Sequence, residues 1–304
     1  MLRTQSIRRR LPSVPLPMMP IVMSSVTQIW AGARETMRLA FYYPWFPRNW
    51  TQQGIYPYTN FTPSLNYYDS ANLDIIKKHI AAMQYAKIEG GIASWWGQGS
   101  EEDRNFSKLL TLAEDTTFKW CIYHELESKA KQPVNQIESD LKYVQANYTQ
   151  HPNYLRVDGR FVVFVYSLID NEKDGRDMAS RWKQANTVNA FIVLKVFPQY
   201  RRCPDKPDSW HQYAPAQPTQ NHKPYSFTIS PGFWKKGEPS PILERNTEHW
   251  RRSIRDMGAS KVMFELITTF NEHGEGTGVE NCKEWETESG CGEYLDALHS
   301  DGKK

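Results

Sequence analysis

The sequence predicts an α/β protein folded as a closed (β/α)₈ barrel in a single domain. Three observations carry that expectation. Strand-like runs alternate with amphipathic helical runs along the chain. Several of the strand runs are apolar throughout, Phe161-Val-Val-Phe-Val-Tyr166 above all, as in parallel strands buried on both faces. The length of 304 residues lies near that of such a barrel. An open doubly wound sheet shares the alternation, but its dinucleotide-binding form needs G-x-G-x-x-G after the first strand. No such turn occurs, and Gly97-Gln-Gly99 after the second strand is only a partial match.

Taken in order, Arg38 to Phe46 is the first strand, ended by Pro44. Asp69 or Ser70 is placed to cap a helix whose apolar positions Leu73, Ile76, Ile80 and Met83 follow the helical period. Gly91 to Gly97 is the second strand. Ser100, with Asp103 three residues on, caps a helix bearing Phe106, Leu109, Leu110 and Ala113, and Phe118 to Glu125 is the third strand. Ile137, Leu141, Val144 and Tyr148 make a helical stripe, Asp158-Gly159 a turn, and Phe161 to Tyr166 the fourth strand. Met178 and Trp182 mark a short helix before the fifth, Phe191 to Phe197. Ser209 to Tyr213 and Tyr225 to Ser230 are the sixth and seventh, joined by a polar link, Pro218 to Pro224, too short for a full helix. Trp250, Ile254 and Met257 lie on a helix stopped by Gly258, and Lys261 to Phe270 is the eighth strand.

The formal charge of +3 is uneven: residues 1–33 hold four arginines and no acid, leaving 33 basic against 34 acidic residues. A nearly neutral body lacks the basic stripe that nucleic acid requires, which excludes that class of partner. Leu11 to Ala33 is uncharged and ends in Ala31-Gly32-Ala33, so residues 1–33 are expected to be a signal or targeting segment and 34–304 the folded domain. Pro12, Pro15, Pro17 and Pro20 interrupt the apolar run, and no membrane span is expected. The route implied is secretion or the secretory lumen, to which sequons at Asn49, Asn60, Asn105 and Asn147 add glycosylation. In that setting Cys282 and Cys291 are expected to form a disulfide and Cys121 to be a buried thiol; a reducing compartment would leave all four cysteines free.

Catalytic groups of a barrel come from the C-terminal ends of its strands. The predicted strands deliver there Tyr42, Tyr43 and Trp45; Trp95 and Trp96; His124 and Glu125; Tyr166; His211 and Tyr213; and Asn271, Glu272, His273 and Glu275. The chain has 11 Trp and 16 Tyr, a surplus that suits a sugar-binding cleft, although each aromatic alone is more often packing. The richest segment, Thr268 to Glu280, sets Glu272 and Glu275 three residues apart among glycines. Two carboxyls at one strand mouth separate in pKa, so one can serve as acid and the other as base, the requirement of glycosidic cleavage. A solvated acidic loop, or a calcium loop made from Glu272, Glu275 and Glu280, would use the same residues. No P-loop, H-E-x-x-H or G-x-S-x-G pattern is present.

Phe41-Tyr-Tyr-Pro-Trp45, Ser94-Trp-Trp-Gly97, Tyr123-His-Glu125, Ser230-Pro-Gly-Phe233 and Phe270-Asn-Glu-His-Gly-Glu-Gly-Thr277 resemble the motifs of glycoside hydrolase family 99 and its relatives, which include endo-α-mannosidases. The resemblance runs from about Leu39 to Leu298 in the same order. It implies a (β/α)₈ (TIM) barrel and a retaining mechanism that uses no metal or cofactor. Glu272 would deprotonate the sugar's 2-hydroxyl, which attacks the anomeric carbon to give a 1,2-anhydro sugar. Glu275 would protonate the departing oxygen and then activate water. Where the family's mannosidases carry Trp-His between the acids this chain has His273-Gly274, so the resemblance leaves the sugar open.

The leading reading is therefore a glycosidase acting on an α-linked glycan, with Tyr42, Tyr43, Trp45, Trp95, Trp96, His124, Glu125, Tyr166, His211, Tyr213, Asn271 and His273 around the substrate. A non-catalytic carbohydrate-binding barrel would keep the aromatics without needing both acids. A metal-dependent hydrolase would draw on His124, His211 and His273 as imidazole ligands.

Overall fold

The computed structural model describes residues 36–303; the expected leader, and any cleavage or targeting function in it, lies outside them. The strands are β1 Met37–Tyr42, β2 Gly90–Trp95, β3 Lys119–His124, β4 Arg156–Val157, β5 Arg160–Val165, β6 Phe191–Lys195, β7 Ser209–His211, β8 Thr219–His222, β9 Ser226–Ile229 and β10 Phe264–Ile267. The helices are α1 Leu73–Tyr85, α2 Glu101–Leu112, α3 Val134–Asn147, α4 Glu172–Ala185, α5 Thr247–Ser260 and α6 Glu293–His299. Parallel ladders join the strands in the order β7, β6, β5, β3, β2, β1, β10, β9. This is a nearly closed (β/α)₈ barrel in one domain, as the alternation predicts.

The seam falls between β7 and β9, where the described residues form no ladder. The Thr228 hydroxyl on β9 instead donates to the Gln212 carbonyl just past β7 at 2.6 Å, and β8 lies antiparallel on β9. The link before the seventh strand thus resolves as a strand, and β6 reaches β7 through a loop with one short turn at Tyr200–Arg202. The other addition is β4, which pairs with β5 through the Asp158-Gly159 turn, both residues at positive φ as a two-residue hairpin turn requires.

Some expected boundaries move. Asn72 caps α1 through the Asp74 and Ile75 amides, while Asp69 accepts from the Ala71 amide and Ser70 from the Phe46 amide. Ser100 caps α2 at the Asp103 amide, as predicted. Helix α4 runs 14 residues rather than being short, because its apolar face is long enough to bury Met178, Ala179, Trp182 and Ala185. Gly258 does not stop α5; the helix ends at Ser260, where Lys261 turns left-handed at φ 52°. Strand β10 is shorter than predicted, because past Ile267 the Thr269 amide turns to the Thr277 carbonyl, although Thr268 and Phe270 still donate to β9 and β1.

Strand parity divides the core in two. Inside the barrel, Phe41 packs on Tyr123, Phe164, His211 and Tyr213 with ring centroids 4.8 to 6.5 Å apart. Outside, Tyr42, Trp95, Trp120 and Ile122 meet the helices, and Ile76, Ile80 and Met83 of α1 are buried against them. Gly91 has no side chain because the Trp120 indole lies where its Cβ would be, 2.0 Å away.

All four cysteines are free, Cys121, Cys203 and Cys282 buried and Cys291 half-buried, so the expected Cys282 to Cys291 disulfide is not formed. The loop is fastened by Asn281 instead, whose amide donates to the Gly290 carbonyl at 2.9 Å and whose oxygen fills the space beside Gly292. Of the sequons, Asn105 is buried and spends its amide on the Pro44 carbonyl, which closes it to glycosylation in the folded chain; Asn147 is exposed. No helix among the described residues is long and apolar enough to cross a membrane.

Candidate active site

The residue after each inward-facing position near a strand end points outward, so adjacent candidates separate. Tyr43, Trp96, Glu125, Tyr166 and Tyr213 share the inward parity of Phe41, Ser94, Tyr123, Phe164 and His211. The outward set goes elsewhere. Tyr42 meets His79 of α1 at 3.0 Å, Trp95 donates its indole N–H to Asp103 of α2, and His124 Nε2 lies 3.2 Å from Asp140 of α3. These three hold helices to the sheet, which corrects their expected place around substrate. His211 points inward but one layer lower, fully buried against Phe41 and Phe164, with Nε2 3.1 Å from the Tyr123 hydroxyl. Burial pushes its imidazole down to about 3, so it is a neutral floor residue and not a substrate contact.

The acid-bearing turn closes the mouth. The Thr269 amide donates to the Thr277 carbonyl, the Val279 amide to Thr269 and the Glu280 amide to Phe270, which folds residues 269–280 back on themselves. The loop after β9 clamps this turn: the Trp234 amide donates to the Glu275 carbonyl at 2.9 Å and the Lys236 amide to Gly274 at 2.8 Å. Gly276, at φ 63°, permits the approach, since a Cβ there would strike the Trp234 carbonyl at 2.7 Å.

Glu272 is buried, and its Oε1 accepts from the Gly274 amide at 3.0 Å. Glu275 is half-buried and accepts the Tyr213 hydroxyl at 2.8 Å. Glu125, buried, accepts the Ser94 hydroxyl at 3.0 Å. Burial pushes all three carboxyls up, Glu125 to about 8. The charge on Glu275 pushes Glu272 further, whereas Tyr213 and Lys235 pull Glu275 back. Burial, with the charge on Glu275 acting on Glu272 and Glu125, thus raises the proton affinity of all three carboxyls, a condition suited to proton transfer. The hydroxyls of Tyr43 and Tyr166 lie in the same field and stay neutral donors, raised by burial and by Glu125 and Glu275. Asn271 holds the turn to β1, its side chain accepting from the Tyr43 amide at 2.7 Å and donating to the Tyr43 carbonyl.

Trp45 packs tilted on Tyr43 with ring centroids 4.4 Å apart, and with Trp96 and Lys129 it lines an open cavity of about 430 Å³. His273 turns away from the mouth, packed on Phe46 and Trp50 with Nε2 2.9 Å from Glu280, and so contacts no substrate space. His124, His211 and His273 thus bind separate partners and do not converge, and among the described residues no group of three or more His, Cys, Asp or Glu is placed to hold a metal. The calcium loop fails for the same reason, since Glu280 is turned to His79 and His273. Lys235 and the Trp234 clamp went unmarked in the sequence, where they follow the Ser230 to Phe233 motif without any periodic signal.

The barrel and the acid-lined mouth have the form of a glycoside hydrolase, and the comparisons with known proteins point to the same class. The sequence model for glycosyl hydrolase family 99 matches residues 53–179, a segment ending ahead of the acid turn. Two structures of the family 99 endo-α-mannosidase from Bacteroides thetaiotaomicron superpose with TM-scores of 0.70 and 0.67 at 19% and 18% identity, each covering 87% of this chain and 95% of the other. A glycoside hydrolase-like protein superposes at 0.62, with 18% identity over 96% of this chain and 98% of its own. No curated protein matches the chain. Residues 53–179 are thus similar to glycosyl hydrolase family 99, and the structural likeness extends the shared barrel over most of the chain.

Proposed function

We propose that the protein is a retaining glycosidase of α-linked glycans that works through a 1,2-anhydro sugar, with Glu272 as base toward the 2-hydroxyl and Glu275 as acid toward the leaving oxygen. The observation that carries the reading is the pair itself: a buried and a half-buried carboxyl on one turn at the barrel mouth, one oriented by the Gly274 amide and the other by Tyr213. Burial and the charge on Glu275 raise Glu272 further than Glu275, the reverse of what these roles need. A sugar 2-hydroxyl donating into Glu272 favours its ionised form, and the shared proton then moves to Glu275. Tyr43, Glu125 and Tyr166 bind the reacting sugar, and Trp45 and Trp96 stack on its neighbours.

The test is a screen of α-mannans, α-glucans and N-glycans with wild type, Glu272→Gln and Glu275→Gln. Losses on the order of 10² to 10⁴ in rate are expected for each acid. A 2-deoxy analogue of the cleaved glycan should be inert with the intact enzyme, because it lacks the internal nucleophile. Normal turnover of that analogue, or near wild-type activity in Glu272→Gln, rejects the assignment.

A further inference from the structure

Behind the acid turn lies a buried polar cluster that the mechanism above does not use. Glu280 is buried, and both its oxygens are engaged: Oε1 lies 3.1 Å from His79 Nε2, and Oε2 lies 2.9 Å from His273 Nε2 while accepting the Tyr68 hydroxyl at 2.7 Å. The Tyr68 hydroxyl accepts in turn from the Asn271 amide at 3.3 Å. His79 is completed by Tyr42, whose hydroxyl lies 3.0 Å from Nδ1. The residues on either side of Glu272 therefore end on one carboxylate, His273 directly and Asn271 through Tyr68.

The backbone makes this linkage stiff. The Gly276 amide donates to the His273 carbonyl, the Thr277 amide to Glu272 and the Glu280 amide to Phe270. Packing alone does not specify the arrangement, because Phe46 and Trp50 give His273 no polar partner, the Trp50 indole N–H being spent on the Tyr68 carbonyl. A buried carboxylate stripped of a donor is costly, so the cluster resists partial rearrangement.

We propose that Glu280 is a positioning residue for the acid pair, fixing His273 and Asn271 and through them the backbone that aims Glu272 and Glu275. The proposal rests on the acid-pair reading given above. Misplacing a catalytic group by about 1 Å can cost about 10²-fold in rate, so the effect belongs to kcat.

The test compares kcat, KM and melting temperature of wild type, Glu280→Gln, His273→Leu, His273→Gln and the Glu280→Gln/His273→Leu double variant. The substrate is the panel glycan that wild type cleaves fastest, read as released reducing sugar. Each of the first two variants should lose about 10- to 100-fold in kcat with KM within about threefold, and the double should fall no lower than the worse single. His273→Gln, which keeps a donor toward Glu280, should recover part of the loss. A folded Glu280→Gln with wild-type kcat, or losses that multiply in the double, overturns the proposal. If Glu280→Gln does not fold, Tyr68→Phe decides: it should lose about 3- to 10-fold in kcat, and unchanged kcat overturns the proposal. Glu272→Gln is assayed alongside: activity there sinks the acid pair itself, whereas an inactive Glu272→Gln beside a fully active Glu280→Gln sinks only the positioning role.

Discussion

Glu275 carries the Tyr213 hydroxyl on one oxygen, and that bond orients the group expected to give up a proton to the leaving sugar. Glu275→Gln should therefore lose most on poor leaving groups and little on an activated aryl glycoside, about 10² or more separating the two in a comparison of kcat/KM. Equal losses on both would assign the proton elsewhere. Glu125 gives a second prediction, in stability. Its folded pKa of about 8 stands above that of an unfolded glutamate, near 4.3, so the native state holds a proton the unfolded chain has lost. Its contribution is fully present below the lower value and is lost as pH rises to the upper one, at up to about 1.4 kcal/mol per pH unit. Glu125→Gln, neutral throughout, should flatten the decline in urea midpoint between pH 5 and 8; an unchanged slope would remove Glu125 as its source. Strand order in the sequence was enough to bring Glu125, Tyr213, Glu272 and Glu275 to the same end of the barrel. What misled was adjacency: Trp95 and His124 are as close to the strand ends as Trp96 and Glu125, and only the inward or outward parity separates them.

At the scale of elements, helix α1 shows what a local signal can carry. Asp69, Ser70 and Asn72 are all good capping types, and the sequence offers no local reason to choose among them. The choice is made by Phe46, whose amide claims Ser70, and by the Asp69 turn onto Ala71. Asn72→Ala should cost about 1 kcal/mol in denaturant unfolding and Asp69→Ala less. The reverse order would return the cap to Asp69. Gly91 is a sharper case. Its Cβ would sit 2.0 Å from the Trp120 ring, so Gly91→Ala should cost about 1 to 3 kcal/mol by overpacking, whereas Gly99→Ala meets no atom and should be limited to backbone strain at φ 76°. Comparable losses at the two positions would deny the close approach. Gly258 was misread as a stop because glycine at a helix end commonly terminates it. In α5 it stays helical, and the chain turns only where Lys261 leaves for β10.

The whole molecule is a barrel whose ladder is interrupted at one place. Thr228 bridges the seam with its hydroxyl to the Gln212 carbonyl. Thr228→Val keeps the shape and leaves that carbonyl unpaired, so about 1 kcal/mol of stability should be lost, with a larger effect than Thr111→Val on exposed α2. If the two substitutions cost the same, the seam is held by packing and not by this bond. Closure also explains the two additions to the predicted order, since β8 covers the edge of β9 that its neighbour leaves open, and β4 extends β5 by a hairpin.

By itself the sequence determined the alternation of strand and helix, hence the barrel class, and the turn holding Glu272 and Glu275, because hydrophobic period and glycine placement are local properties of the chain. Tertiary structure alone decided which side chains face the mouth. It also decided that Asn281 and not a disulfide fastens the loop after the acids, and that Glu280 reaches back to His273. Those outcomes depend on which distant residues, His79 of α1, Tyr68 of the first long loop and Trp234 after β9, arrive beside the turn. No periodicity within the turn encodes contacts that span more than 200 positions of chain, as between His79 and Glu280.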